Sequence, residues 1–169
     1  MPTQISPTGR ILVGTDGSPA SVAALRWAAS EAQLRGLQVH VVFVRDRRLP
    51  TPHYAPQPRS SEGGEDGVGP AAGESTLKAV VREALGRQPT WVQMELADGP
   101  PARVLLERSV GAEMLVLGST RPGRGPAGPV TQAGTPLGPV ARDCLHAAPC
   151  PVVVVRSSDA TKRAEPVHA

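Results

Sequence analysis

The first segment with ligand-binding chemistry follows a short apolar run at residues 11–13. It reads Gly14-Thr15-Asp16 and stands where a buried strand would end in a turn. The Asp16 carboxylate could accept hydrogen bonds from ribose hydroxyls or from a base amine. The alternative is an Asx turn that holds the loop before Ser18, and one side chain can do both.

The second segment follows the apolar run 114–117 and is longer. It begins at Gly118 and extends to 138 as a Gly/Pro-rich stretch that includes Arg121 and Arg124. Loop glycines let backbone N–H groups approach a ligand closely, and the N-terminus of the helix that follows attracts phosphate. The arginines could pair with phosphate, although exposed loop arginines are the simpler interpretation.

Other motif interpretations fail on their context. Residues 123–128 formally match G-x-G-x-x-G, but Pro126 and Pro129 oppose the helix that must begin inside a dinucleotide fingerprint. No Gly-Lys pair is followed by Ser or Thr, as a phosphate-binding P-loop requires. The four scattered histidines and the absence of a nucleophile elbow indicate no catalytic residue. We therefore assign no catalytic and no metal-binding residue, and leave only slow hydrolysis of a bound ligand open.

The pattern of the chain predicts β-α-β-loop-α-β-α-β-loop-α-β. Such alternation is typical of an α/β fold with a parallel sheet and helices on both faces. Ser18 and Pro19 suit an N-cap and first helical position, and Gly36 suits the C-terminal end of that helix. If the strand order reverses between the first and fourth strands, the two segments flank one crevice.

Local spacing gives further expectations within these elements. His40 is predicted as a packed or strand-end histidine, and the run from Trp91 to Leu96 alternates loosely, as a strand near a sheet edge does. Two helices follow the spacing of a buried face. Their predicted inward residues are Leu77, Val80, Val81, Ala84 and Leu85 in one, and Ala102, Leu105, Leu106 and Val110 in the other.

Composition divides the chain into one domain and its flanks. We expect an N-terminal tail at 1–9, a domain at 10–156 and a C-terminal tail at 157–169. Inside the domain, residues 46–74 are too poor in large apolar side chains to pack and are predicted as a mobile loop. The Gly/Pro-rich loop at 118–138 is the second long connection.

Charge and cysteine content narrow the class of partner. A formal charge of +3 over 169 residues, with few aromatic side chains, disfavours a nucleic-acid surface. No apolar run approaches a membrane span or a signal peptide, so we expect no membrane partner and a cytoplasmic location. Cys144 and Cys150 match no zinc or redox spacing and are predicted to be free, buried thiols.

Together, three stretches resemble the universal stress protein family over roughly residues 10–156. They are Ile-Leu-Val-Gly-Thr-Asp-Gly-Ser-Pro at 11–19, Asp-Gly-Pro-Pro-Ala at 98–102, and Leu-Val-Leu-Gly-Ser at 115–119 with Cys-Pro-Val-Val-Val-Val at 150–155. The resemblance implies an open five-stranded parallel sheet of order 3-2-1-4-5, which is adenine nucleotide alpha hydrolase-like. It also implies homodimers paired through Val152–Val155 and, in one branch of the family, ATP bound in the crevice, with or without Mg²⁺.

The resemblance carries the nucleotide site over position by position, with departures. Arg121 stands where ATP-binding members have a second glycine, and the final Gly-Ser/Thr pair falls on Gly138-Pro139, with Gly134-Thr135 as an alternative. The predicted nucleotide-binding residues are Gly14, Thr15, Asp16, Val44, Gly118, Ser119, Thr120, Arg121, Gly123, Gly125, Gly138 and Val140.

Two functions of different classes follow. The first is a small regulatory protein that binds ATP or a related adenine nucleotide between the first and fourth strands. The second is a nucleotide-independent interaction module that acts as a dimer and engages a protein partner. Arg121, Pro139 and the lengthened loop motivate the second.

Overall fold

The computed structural model describes residues 9–46, 70–119 and 137–156, which form five strands and four helices. In chain order these are β1 (Arg10–Thr15), α1 (Pro19–Arg35), β2 (Gln38–Arg45), α2 (Pro70–Leu85), β3 (Val92–Asp98), α3 (Pro101–Ser109), β4 (Met114–Gly118), α4 (Pro139–Ala147) and β5 (Val152–Val155). The predicted element order is confirmed.

The strands form one parallel sheet in the order β3-β2-β1-β4-β5. β1 is central and pairs with β2 on one side, with Ile11 opposite Val39, and with β4 on the other, with Ile11 opposite Met114. The predicted order 3-2-1-4-5 is therefore confirmed. β3 is an edge strand, as its loose alternation indicated.

Helices cover both faces of the sheet over two separate apolar clusters. One cluster lies under α1 and α2 and includes the fully buried Ile11, Val41 and Val116. The other lies under α3 and α4 and includes the fully buried Leu12 and Leu115. Successive strand residues point to opposite faces, so the nearly continuous apolar runs of β1 and β4 supply both clusters.

The ends of α1 form as their residue types predict. Ser18 is the N-cap, and its side chain accepts a hydrogen bond from the Ser21 N–H at 3.2 Å. Pro19 occupies the first helical position, and Gly36 ends the helix in the left-handed region at φ 65°. Both predictions are confirmed, because capping depends only on neighbouring residues.

Two local expectations are wrong. α2 begins at Pro70, so residues 70–74 of the predicted mobile loop are helical, while 47–69 lie outside the described residues. Val110 is 64% exposed rather than inward, because α3 ends at Ser109 and Val110 has extended backbone at φ −61° and ψ 123°. Helical spacing no longer applies there, and Val104 is buried in its stead.

Both cysteines are free thiols. Cys144 is fully buried on α4, and burial raises the pKa of its thiol to about 11. Cys150 is half-buried before β5, and burial raises its pKa as well. Within the described part of the chain, none of the helices has the length and apolar character that crossing a lipid bilayer demands.

Candidate functional site

The carboxyl ends of β1 and β4 form the point where the sheet changes direction. The chain leaves β1 for α1 on one face and leaves β4 toward α4 on the other. Connections that diverge in this way open a crevice above the strand ends, where open α/β sheets bind ligands. The described residues at this crevice are the ends of β1, β2 and β4 and the start of α4.

The hydroxyl groups at the end of β1 and the start of α1 are linked by hydrogen bonds. Thr15 Oγ1 donates to Ser21 Oγ at 2.9 Å, and Ser21 Oγ donates to the Ser18 carbonyl at 2.8 Å. The Gly17 N–H donates to Thr15 Oγ1 at 3.3 Å. Thr15 is buried, so its hydroxyl joins β1 to α1. Because Ser18 also caps α1, the hydroxyl groups and the Ser21 N–H at the start of this helix already have hydrogen-bonding partners within the protein.

Asp16 makes the turn that the sequence allowed and still faces solvent. Its Oδ1 accepts a hydrogen bond from the Ser18 N–H at 2.9 Å, which is an Asx turn. The residue is exposed. The turn therefore fixes the carboxylate at the mouth of the crevice, where its other oxygen can accept from a ligand.

Val44 presents a main-chain acceptor to the same crevice. The Arg45 carbonyl accepts from the Gly99 N–H at 2.9 Å, on the β3 side, so the neighbouring Val44 carbonyl faces β1. Pairing of β1 with β2 ends at Thr15, and the Gly17 N–H, which would continue the ladder, turns to the Thr15 hydroxyl. Among the described residues, none donates to the Val44 carbonyl.

Gly118 and Gly14 have packing roles that sequence reasoning missed. A Cβ on Gly118 would lie 2.5 Å from the Ala20 carbonyl carbon and 2.6 Å from the Ser21 nitrogen, so the end of β4 touches the first turn of α1. A Cβ on Gly14 would lie 2.7 Å from Leu117 Cδ2. Both glycines were predicted as nucleotide-binding residues; the space beside each is filled by protein.

Ser119 extends the pairing of β4 with β5. It is buried, and its N–H donates to the Val155 carbonyl at 2.8 Å. The chain therefore leaves the sheet only after Ser119. Outside the described residues lie Thr120, Arg121, Gly123 and Gly125, together with the alternative pair Gly134-Thr135.

The start of α4 differs from that of α1 because no side chain caps it. Gly138 is the N-cap, Pro139 follows at the first helical position, and the first turn carries no acidic residue. Pro139 removes only one donor, so the N–H groups of Val140 and Ala141 remain without intrahelical partners. Gly138 is buried and Val140 half-buried. This end of α4 can bind an anion.

A charged cluster lies on the α3 face of the sheet, away from the carboxyl ends of β1 and β4. His40 Nε2 lies 2.9 Å from Glu95 Oε2, and Arg108 Nη2 lies 2.8 Å from Glu95 Oε1. Arg10 Nη2 donates to the carbonyls of Arg108 and Val110, at the end of α3. His40 is thus packed, as predicted, but as part of an ion-pair cluster.

These neighbours act on the His40 pKa in both directions. Burial lowers it below its ordinary 6.5, the Glu95 carboxylate raises it, and the Arg10 and Arg108 guanidinium groups lower it; the net direction is down. The hydrogen bond from Arg108 is the main reason that the pKa of Glu95 is also lowered. The folded protein therefore favours neutral His40 and ionised Glu95.

The free energy of unfolding is expected to fall as the pH drops below about 6.5, the ordinary pKa of His40. The unfolded chain takes up this proton more readily than the folded one, so stability rises with pH across this window. The stabilisation that neutral, packed His40 contributes is complete above pH 6.5, and it is lost as the pH falls toward and through the pKa of His40 in the folded protein. Urea unfolding of the parent and H40Q between about pH 8 and pH 5 measures it.

H40Q should flatten this dependence, whereas H146Q, which changes an exposed histidine on α4, should retain it. An unchanged slope in H40Q would contradict the assignment.

The chain matches the model of one protein family over most of its length. The universal stress protein family model covers residues 7–156. A universal stress protein of Mycobacterium tuberculosis is 31% identical over 149 residues, which cover 88% of this chain and 48% of that protein. One of Mycobacterium bovis is 34% identical over 160 residues, covering 94% and 51%. The chain thus spans about half the length of these relatives.

Solved structures share the fold at lower identity. A universal stress protein in complex with cAMP has a TM-score of 0.58 and 21% identity, covering 90% of this chain and 100% of that chain. A universal stress protein from Archaeoglobus fulgidus in complex with dAMP has a TM-score of 0.55 and 24% identity, covering 87% and 97%. These likenesses establish the architecture.

Proposed function

Because this chain belongs to the universal stress protein family, we propose that it is a stress-response regulatory protein that binds ATP or a related adenine nucleotide. The observation that carries the proposal is the pair of acceptors at one side of the crevice. They are the Asp16 carboxylate, fixed by its Asx turn, and the Val44 carbonyl, which faces the end of β1.

The second carboxylate oxygen of Asp16 and the Val44 carbonyl have no donor among the described residues. Both suit the exocyclic amine of adenine and the ribose hydroxyls as partners. Asp16 would accept from a hydroxyl or the exocyclic amine, and Val44 would accept from that amine. A base that offers a carbonyl at this edge would face the Val44 carbonyl and lose that hydrogen bond. The chemistry of the acceptors therefore favours adenine among the purines.

The phosphate end would lie at the start of α4, on the opposite side of β1. There the N–H groups of Val140 and Ala141 and the positive end of the helix are available to an anion. Gly138 lacks a side chain, so its backbone lets a phosphate approach. Thr120, Arg121, Gly123 and Gly125 are proposed to contribute from the same loop, and Mg²⁺ could accompany a triphosphate.

The solved relatives agree with this class of ligand. Two solved universal stress proteins are in complex with cAMP and with dAMP, which are adenine nucleotides with one phosphate each. We extend adenine nucleotide binding to this chain, with ATP as the first ligand to test. A rapidly turning-over enzyme is not proposed, because no general base is assigned beside the phosphates.

Replacing Asp16 is expected to weaken nucleotide binding by roughly 10- to 100-fold, since a lost hydrogen bond to a charged group costs about 1.5–3 kcal/mol. Calorimetric titration of D16A with ATP, AMP and cAMP measures the loss. D16N separates the two roles of Asp16, because an amide oxygen retains the Asx turn while the charge is removed.

E83A is the matched control, since Glu83 is an exposed acid near the C-terminal end of α2 and should leave affinity unchanged. Mass analysis for nucleotide carried through purification adds an independent readout. If the parent releases no heat at millimolar nucleotide and carries none, the nucleotide-independent interaction module becomes the favoured function.

We further propose that the protein forms a homodimer through β5. This strand pairs only with β4 among the described strands, and all four of its valines are half-buried. An unpaired edge with apolar side chains is a template for a second strand. Relatives of about twice this length are consistent with two such domains side by side.

A further inference from the structure

Arg45 has hydrogen-bonding capacity that the described protein does not use. It is the last residue of β2, and its side chain is only 9% exposed. Nη2 donates to Asp98 Oδ2 at 2.7 Å. Nε and Nη1 are buried, and no described residue accepts a hydrogen bond from either. A buried guanidinium with two unpaired donors is unfavourable unless an acceptor joins it.

The first turn of α2 lies close to the aliphatic part of the Arg45 side chain. A Cβ on Gly73 would lie 3.2 Å from Arg45 Cδ and 2.7 Å from Leu96 Cδ1, so the helix crosses the side chain closely. The first turn of α2 carries no acidic residue. Its N–H groups have no intrahelical partners, and the helix dipole places positive charge there. Two sources of positive potential, the guanidinium and the start of α2, therefore lie near each other.

This point is separate from the nucleotide crevice. Val44 packs against the cluster under α3 and α4. Arg45 is its neighbour in β2, so its side chain points to the opposite face, under α1 and α2. An anion at Arg45 and a phosphate at the start of α4 would occupy different faces of the sheet.

We propose that Arg45 and the first turn of α2 form a binding site for a small oxyanion, a phosphate or a carboxylate group, with Asp98 as its competitor. The planar guanidinium binds such groups through two parallel hydrogen bonds, whereas Asp98 takes one nitrogen only. Asp98 is 46% exposed, so its carboxylate can turn to solvent when an oxyanion takes its place.

The two residues predict opposite effects of mutation. R45Q removes the guanidinium and should abolish binding of the oxyanion. D98N removes the competing charge and should tighten binding several-fold. R103Q, an exposed arginine paired with Glu107 on α3, is the matched control and should change nothing.

The probes are inorganic phosphate, sulfate and citrate, each titrated against chloride at fixed ionic strength. Chemical-shift perturbation of the Arg45 Nε–H in arginine-labelled protein reports the site, and the change in melting temperature reports affinity. Phosphate and sulfate acting alone would identify a phosphoryl ligand, and citrate acting alone a carboxylate ligand.

The probes carry no base, and D16A should respond to them as the parent does. Failure of nucleotide binding and failure of this site are therefore distinguishable. A phosphate response that R45Q leaves intact would assign the anion to the start of α4 and overturn the proposal. So would the absence of any response in both the parent and D98N.

Discussion

Replacing Gly118 with alanine is expected to destabilise the fold by about 3 kcal/mol, the upper end of the range for overpacking. The added Cβ would lie 2.5 Å from the Ala20 carbonyl carbon and 2.6 Å from the Ser21 nitrogen. Both atoms belong to the backbone of the first turn of α1, so no side-chain rotation relieves the contact. Either α1 or the end of β4 must move.

Movement of α1 would break the connection that Thr15 makes to Ser21. Urea unfolding of G118A measures the loss of stability, and ATP titration shows whether the crevice changes with it. G36A is the matched control, because Gly36 has φ 65° and no atom within 4 Å of a built Cβ. It should cost only about 1 kcal/mol, from backbone strain. Equal losses in the two variants would refute the packing role of Gly118.

Replacing Val154 with proline is expected to convert the proposed dimer into a monomer while the fold survives. The carbonyl of Pro151, just before β5, accepts a hydrogen bond from the Leu115 N–H of β4, and the carbonyl of Val155 accepts one from the Ser119 N–H, just after β4. Main-chain groups of a strand alternate in direction, so the N–H of Val154 faces away from β4. Proline there removes a donor that only a second strand could use, and its ring obstructs that strand.

Light scattering after size-exclusion chromatography measures the change of mass. V153P is the contrasting variant, because the Val153 N–H faces β4 and its loss should destabilise the sheet itself. A V154P protein that keeps both the mass and the melting temperature of the parent would exclude β5 as the interface. A monomeric parent would exclude the dimer altogether.

The fold could be predicted because its determinants are local. The Ser18-Pro19 cap, the left-handed Gly36 and the apolar runs of β1 and β4 each depend on a few neighbouring residues. The alternation of strands and helices, with right-handed crossovers, then restricts the sheet to a few possible topologies. The error at Val110 is also local, because the helix ends one residue earlier than the spacing implied.

The candidate site was only partly predictable, because its chemistry depends on contacts distant in sequence. The sequence indicated a ligand-facing role for Gly118, but not that α1 fills the space beside it. It named Val44 through a resemblance, while the orientation of its carbonyl follows from the Gly99 bond to Arg45. No sequence signal indicates that Arg45 Nε and Nη1 lack an acceptor among the described residues, or that His40 pairs with Glu95.

The central position of β1 also sets the order in which this protein can fold as it is synthesised. Of the five strands β1 is synthesised first, and β2 can pair with it early, but Ile11 meets Met114 only after β4 has been synthesised. Until then one edge of an apolar strand is unpaired. Contacts so distant in sequence slow folding and prolong that exposure. Until β4 pairs with it, this apolar edge of β1 is therefore open to incorrect pairing with other strands.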